Sequence, residues 1–168
     1  MSKKVAVLMT DHVEDIEYTS PKEAIESAGY TVEVITPDGS AAEGKKGGKF
    51  AADKSTDDAN PEDYAGLLVP GGFAPDVLRG DAKNAEFAKH FLENDKPTFA
   101  ICHGPQFLVD TDLLKGRNVT SVGNVKKDLE NAGATFHDKS VVVCHNLVTS
   151  RTPDDLEDFN NAIKDQLK

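Results

Sequence analysis

The chain has 168 residues, which suits one domain spanning 1–168. Its 29 acidic and 19 basic residues leave a formal net charge of −10, and no basic cluster offsets it beyond the pairs Lys45-Lys46 and Lys126-Lys127. Such a chain repels nucleic acid and anionic membrane, and the acidity reads first as solubility. No apolar run approaches the roughly 20 residues that span a bilayer. No signal-peptide core follows Met1-Ser2-Lys3-Lys4, so a cytoplasmic protein is expected. Two cysteines, Cys102 and Cys144, do not make a disulfide framework, and no Cys/His spacing resembles a zinc site. Neither a metal nor a cofactor is expected.

In chain order, Val5 to Met9 is a short apolar run of the kind that forms a buried strand. An acidic loop follows, then a helix over Ile16 to Ala28, with Pro21 early in it and Gly29 ending it. Thr31 to Ile35 is a second strand, which completes a β-α-β unit and implies a parallel sheet. Pro37 to Ser55, rich in Gly, Lys and Ala, reads as a loose hairpin or excursion. Asn60 to Asp63 looks like a short helix start. Gly66 to Val69 is a third buried strand, stopped by Pro70-Gly71-Gly72, and a helix is expected over Lys83 to Asn94. Thr98 to Ile101 is a fourth strand, with a helix opening at His103 and running to Asp110. Asn118 to Ser121 suggests a short strand, and Val125 to Ala132 a short helix closed by Gly133. Ser140 to Cys144 and Leu147 to Ser150 form a strand pair around His145-Asn146. A last amphipathic helix covers Pro153 to Leu167, with Thr152 before it and Asp154 and Asp155 in its first turn. The alternation predicts an α/β fold, a three-layer flavodoxin-like sandwich with a mostly parallel central sheet.

The most informative segment is Thr98-Phe99-Ala100-Ile101-Cys102-His103-Gly104-Pro105-Gln106. A strand runs into a small-x-Cys-x-Gly pattern and then a helix, the layout of a nucleophile elbow. Ala100 and Gly104 allow strand and helix to approach closely, so Cys102 projects from the carboxyl end of the sheet. A helix N-terminus favours a thiolate, so the Cys102 pKa is expected below the free value of about 8.5. The competing reading is a buried, inert cysteine. Cys144 reads as a strand-end structural cysteine, with a regulatory thiol as the alternative.

Three further groups converge on the same rim. Asp11 to Glu17 is an acidic cluster at the tip of the first strand, the kind that is usually just solvated. Glu17, on the first helical turn, would face the elbow. Beside a thiolate its pKa is expected to be raised, and the protonated acid would donate a hydrogen bond to sulfur. Gly71 and Gly72 read either as a plain turn or, with the N–H of His103, as an oxyanion hole. His103 is a candidate general acid or base, and Asp76 a carboxylate that could orient it. His12, His90, His137 and His145 are expected at the surface or in loops.

Taken together, these segments resemble the ThiJ/PfpI family, whose fold core is shared with class I glutamine amidotransferases. The similarity rests on Val13 to Glu17 with Pro21, Leu68 to Asp76, Ala100 to Pro105 and Thr149 to Asp155, and is nearest to the PfpI-like protease/amidase and general-stress branch. It implies Cys102 as nucleophile, Glu17 as its carboxyl partner, His103 as the neighbouring histidine, and the backbone at Gly71, Gly72 and His103 as oxyanion donors. In PfpI-like members a glutamate from an adjoining subunit completes a triad; here that position is Asp76, one methylene shorter. The resemblance also implies a homodimer or higher oligomer with sites near the subunit interface, where Arg79 and Arg151 are candidates. The activities it implies are glyoxalase or deglycase chemistry on a small carbonyl substrate, or peptidase/amidase chemistry on a peptide. The rivals are an oxidative-stress sensor acting through Cys102 and a holdase-type chaperone.

Overall fold

The computed structural model describes residues 2–168. The apolar run near the N-terminus forms β1 (Lys4–Leu8), followed by α1 (Asp15–Ser27) and β2 (Thr31–Thr36). Gly29 takes φ +92°, a conformation that costs an L side chain but not glycine, and so closes α1 as expected. The Gly-rich excursion is more ordered than its composition suggested. β3 (Ala42–Glu43) and β4 (Lys49–Phe50) pair antiparallel, and β5 (Lys54–Ser55) then joins β2 in parallel.

A 3-10 turn at Pro61–Asp63, capped by the Asn60 side chain, leads to β6 (Gly66–Val69). A short helix absent from the sequence reading, α2 (Ala74–Leu78), precedes α3 (Ala82–Glu93), which Asp81 caps. β7 (Thr98–Ile101) runs into α4 (Gly104–Phe107). The helix expected over His103 to Asp110 is only that one turn, continued as 3-10 helix over Leu108–Thr111. β8 (Asn118–Val119), α5 (Lys126–Asn131) and β9 (Thr135–Phe136) form a small excursion. The chain closes with β10 (Val141–Cys144), β11 (Leu147–Ser150) and α6 (Leu156–Gln166). Thr152 is extended and makes no side-chain cap; a 3-10 turn at Pro153–Asp155 leads into α6 instead.

The central sheet has the order β10-β11-β7-β6-β1-β2-β5. Every pairing is parallel except β10 with β11. Its inner strands are apolar on both faces because both faces are covered. Val5, Val7 and Met9 point with Phe99 and Ile101 toward Ile25 of α1 and Phe159 and Ile163 of α6. Ala6 and Leu8 point with Val69 and Ala100 toward Phe87 and Phe91 of α3 and Phe107 of α4. The result is the expected three-layer, mostly parallel flavodoxin-like α/β sandwich.

The topology also selects a place for a site. From β1 the chain adds β2 on one side and later returns to add β6 on the other, so the strand order reverses between β1 and β6. Crevices at such switch points, at the carboxyl ends of the strands, are where open α/β sheets hold ligands. Here the two loops are stitched together: Val13 bridges to both Gly72 and Gly44, and Phe73 N–H donates to His12 O at 2.9 Å.

Candidate functional site

Cys102 stands between β7 and α4 with φ +63°, a left-handed conformation that an L residue adopts only under constraint. Two hydrogen bonds hold it there. Cys102 N–H donates to Ser150 O, and Val122 N–H donates to Cys102 O, both at 3.1 Å. The close approach that the elbow requires is made at Gly104: a Cβ there would strike Val69 O and press Ala100 Cβ. The sharp strand-to-helix turn expected from Ala100 and Gly104 is therefore present.

Glu17, on the first turn of α1, is fully buried. Its Oε1 accepts the Gly71 N–H at 2.9 Å, while its Oε2 has no hydrogen-bond partner among the described residues. Gly71 has no room for a side chain because Glu17 Oε1 and Cys102 Cβ both crowd it. The carboxyl and the thiol thus converge on one glycine. Burial pushes the Glu17 pKa up to about 8, and the nearby Glu14 charge adds to this, against the Gly71 N–H, the Lys45 charge and a hydrogen bond with the Cys102 side chain, the contact expected from the sequence. Glu17 is therefore largely protonated at neutral pH, as expected.

The thiol departs from expectation. Burial, and then the charge of Glu17, push the Cys102 pKa up to about 12, although the backbone N–H groups of His103 and Gly72 oppose the shift. A helix of one turn, backed by an apolar core, does not outweigh desolvation and a like charge. Both causes favour the thiol over the thiolate.

The expected oxyanion donors divide accordingly. Gly71 donates to Glu17 and is not available to a substrate. Gly72, at φ +73°, and His103 direct their N–H groups to the sulfur. His103 Nδ1 lies 3.5 Å from Cys102 Sγ. Burial and the nearby Lys45 lower the His103 pKa, with Asp76 acting against them, which favours the neutral ring. Asp76, on α2, makes no side-chain hydrogen bond to His103 within the chain. The sulfur opens into a cleft of about 220 Å³, edged by Glu14, Glu17, Lys45, Phe73, His103 and Pro153.

The remaining candidates lie elsewhere. Arg79 forks onto Asp110, with two contacts of 3.0 Å. Arg151 forks onto Asp155 at 2.8 and 3.1 Å and reaches Asp138 at 3.0 Å. Both expected interface arginines are thus engaged within the chain. Cys144 ends β10, where its sulfur accepts the Asn118 N–H at 3.4 Å. His137 and His145 are surface groups with partners of their own, Asn118 and Asp95. His90 is on α3, half-buried against Phe91 and Lys96. The sequence reading missed Lys45 and Phe73 as parts of the cleft. Among the described residues no group of His, Cys, Asp and Glu is placed to hold a metal ion, and no helix is long and apolar enough to cross a membrane.

A sequence profile of the DJ-1/PfpI family matches residues 3–166. The chain belongs to the DJ-1/PfpI family. A relative in Bacillus subtilis (strain 168), named "Putative cysteine protease YraA", is 57% identical over 169 residues, covering 100% of both chains. The crystal structure of a ThiJ/PfpI domain protein from Brachyspira murdochii superposes with a TM-score of 0.93 at 28% identity, over 99% of this chain and 96% of that one. A two-domain protein of Anabaena variabilis, with DJ-1/ThiJ/PfpI-like and ferritin-like domains, gives a TM-score of 0.94 at 38% identity. There the match covers 99% of this chain but 48% of the longer one. The elbow, Glu17 and the Gly71-Gly72 turn are thus set in a DJ-1/PfpI fold.

Proposed function

We propose that this DJ-1/PfpI protein is a cysteine-dependent enzyme in which Cys102 adds to the carbonyl carbon of a small substrate. One observation carries the reading: a fully buried carboxyl, with one oxygen fixed by Gly71 N–H, converges with a half-buried thiol at a left-handed elbow. A buried carboxyl whose pKa burial displaces, set against a thiol at the edge of a cleft, points to use.

In this reading Glu17 is the proton acceptor. As sulfur attacks an aldehyde, the S–C bond forms, the C=O π bond opens, and the thiol proton passes to ionised Glu17. The new alkoxide is held by the N–H groups of Gly72 and His103 and takes a proton to give a hemithioacetal. With a 2-oxoaldehyde, Glu17 or His103 then moves the proton from C1 to C2. The thioester that results is hydrolysed by water to a 2-hydroxy acid, which frees the thiol. The net change is R–CO–CHO plus water to R–CHOH–COOH, with no external oxidant. The cleft of about 220 Å³ lies below the usual range of drug-sized pockets, which favours a small substrate. Peptide or amide cleavage would need a longer groove. It would also need a carboxylate to orient His103, brought by a second copy over the exposed Phe73 and Val77 beside Asp76.

The test compares the protein with Cys102→Ala on methylglyoxal, by lactate formation, and on a peptide p-nitroanilide. Lactate formation that falls at least 1,000-fold in the variant is expected, in line with loss of a covalent nucleophile (about 4 kcal/mol). Equal rates in both proteins overturn the reading. So does a protein idle on every carbonyl and amide in which stoichiometric peroxide converts Cys102 cleanly to sulfinate, the outcome that favours a sensor.

A further inference from the structure

The cleft contains one fixed cation, and the chain constrains its carrier closely. Lys45 sits at the tip of the β3–β4 hairpin, on the edge of the cavity that exposes Cys102. Its Nζ lies 3.2 Å from Glu14 Oε2 and 5.2 Å from the centre of the Phe73 ring, whose centroid is 5.8 Å from that of His103. The tip is pinned to the start of α1. Asp15 accepts the Lys46 N–H at 3.0 Å on one oxygen and the Gly48 N–H at 2.9 Å on the other. Lys45 N–H donates to Val13 O at 2.9 Å, and Gly44 N–H to Gly48 O at 2.8 Å. Gly44 and Gly48 have no room for a side chain because Asp15 fills the space, and Gly47 takes φ +92°. A surface lysine that served solubility alone would not need a loop held at four points.

We propose that Lys45 reads a negative charge on the ligand, so that the substrates are small 2-oxoaldehydes carrying a carboxylate. The substrate class rests on Cys102 as the reacting atom. An ammonium has three donors, and Glu14 occupies one of them. His103, the other basic group at the cleft, is shifted toward its neutral form. On a chain of net charge −10, a cation at the mouth of this cleft favours the entry of anions and their orientation.

The experiment uses the whole protein and a pair of probes that differ only in charge. Iodoacetate and iodoacetamide both alkylate a thiolate by forming an S–C bond as iodide leaves. Their rates at Cys102 are followed by mass spectrometry, with glutathione as the reference thiol. The iodoacetate-to-iodoacetamide ratio is expected to exceed that of glutathione. It should fall about tenfold in Lys45→Met, stay within threefold in Lys45→Arg, and rise in Glu14→Gln. The iodoacetamide rate of each variant reports any change in the thiol itself, including that from removing the charge beside His103 and Glu17, and the ratio cancels it. A ratio equal to that of glutathione, or unchanged in Lys45→Met, overturns the proposal. The ratio does not depend on turnover. A protein that converts no carbonyl yet shows it loses the enzymatic reading and keeps Lys45 as the anion-recognising residue.

Discussion

Glu17 titrates far from the range of an ordinary carboxyl because it is dry, and this shapes both activity and stability. The ionised form is the one that can take the thiol proton, so kcat/KM should rise with pH through an inflection near 8. Glu17→Gln should abolish the inflection and most of the turnover. The same variant should lower the Cys102 pKa, because the charge of Glu17 is one of the causes that raise it. Thiolate absorbance against pH measures this directly, and an unchanged titration would remove Glu17 from the site. The sign for stability follows from linkage. The folded state holds the Glu17 proton up to about 8, whereas the unfolded chain releases it near 4.5. The stabilisation is therefore fully present below the unfolded value and is lost as pH rises toward 8, at up to about 1.4 kcal/mol per pH unit. A urea series from pH 5 to pH 8 should show this decline in the wild type and a flatter course in Glu17→Gln.

At the scale of elements, the elbow depends on how closely α4 approaches β7. Gly104→Ala places a methyl against Val69 O and Ala100 Cβ, in a core that cannot give way without shifting backbone. Such overpacking should cost about 1–3 kcal/mol, read as a lower urea midpoint, and should reduce turnover because the helix start that aims the sulfur is displaced. This approach was legible in the sequence, since a small residue two positions either side of a cysteine, after a strand and before a helix, has few other uses. The hairpin was legible only as a loose hairpin or excursion over Pro37 to Ser55, without its strands or its order. β3, β4 and β5 have two residues each, too short for any periodicity, and Gly44, Gly47 and Gly48 look like flexibility until Asp15 is seen among them. Lys45 accordingly read as half of a surface pair. α2 was missed for a related reason: five residues behind a Gly-Gly turn show no repeat.

For the whole molecule, the fold was largely readable. Val5 to Met9, Gly66 to Val69 and Thr98 to Ile101 are apolar on both faces, and only a covered parallel sheet needs that. What the chain order could not convey is depth. The helix end behind Cys102 was visible and argued for a low thiol pKa. The burial and the neighbouring carboxyl that reverse the shift exist only after α1 has folded against the elbow. The Gly71 N–H was likewise countable as a free donor until Glu17 was found on it.

The left-handed backbone at residue 102 bears on how such a protein could lose its chemistry. A glycine would sit there without steric penalty, whereas any residue with a Cβ holds the bend at a cost of roughly 1–2 kcal/mol. The easiest replacement for the backbone is thus the one that deletes the sulfur. Folding alone gives the chain no reason to keep a cysteine at this corner, and the strain is in keeping with the role proposed for Cys102.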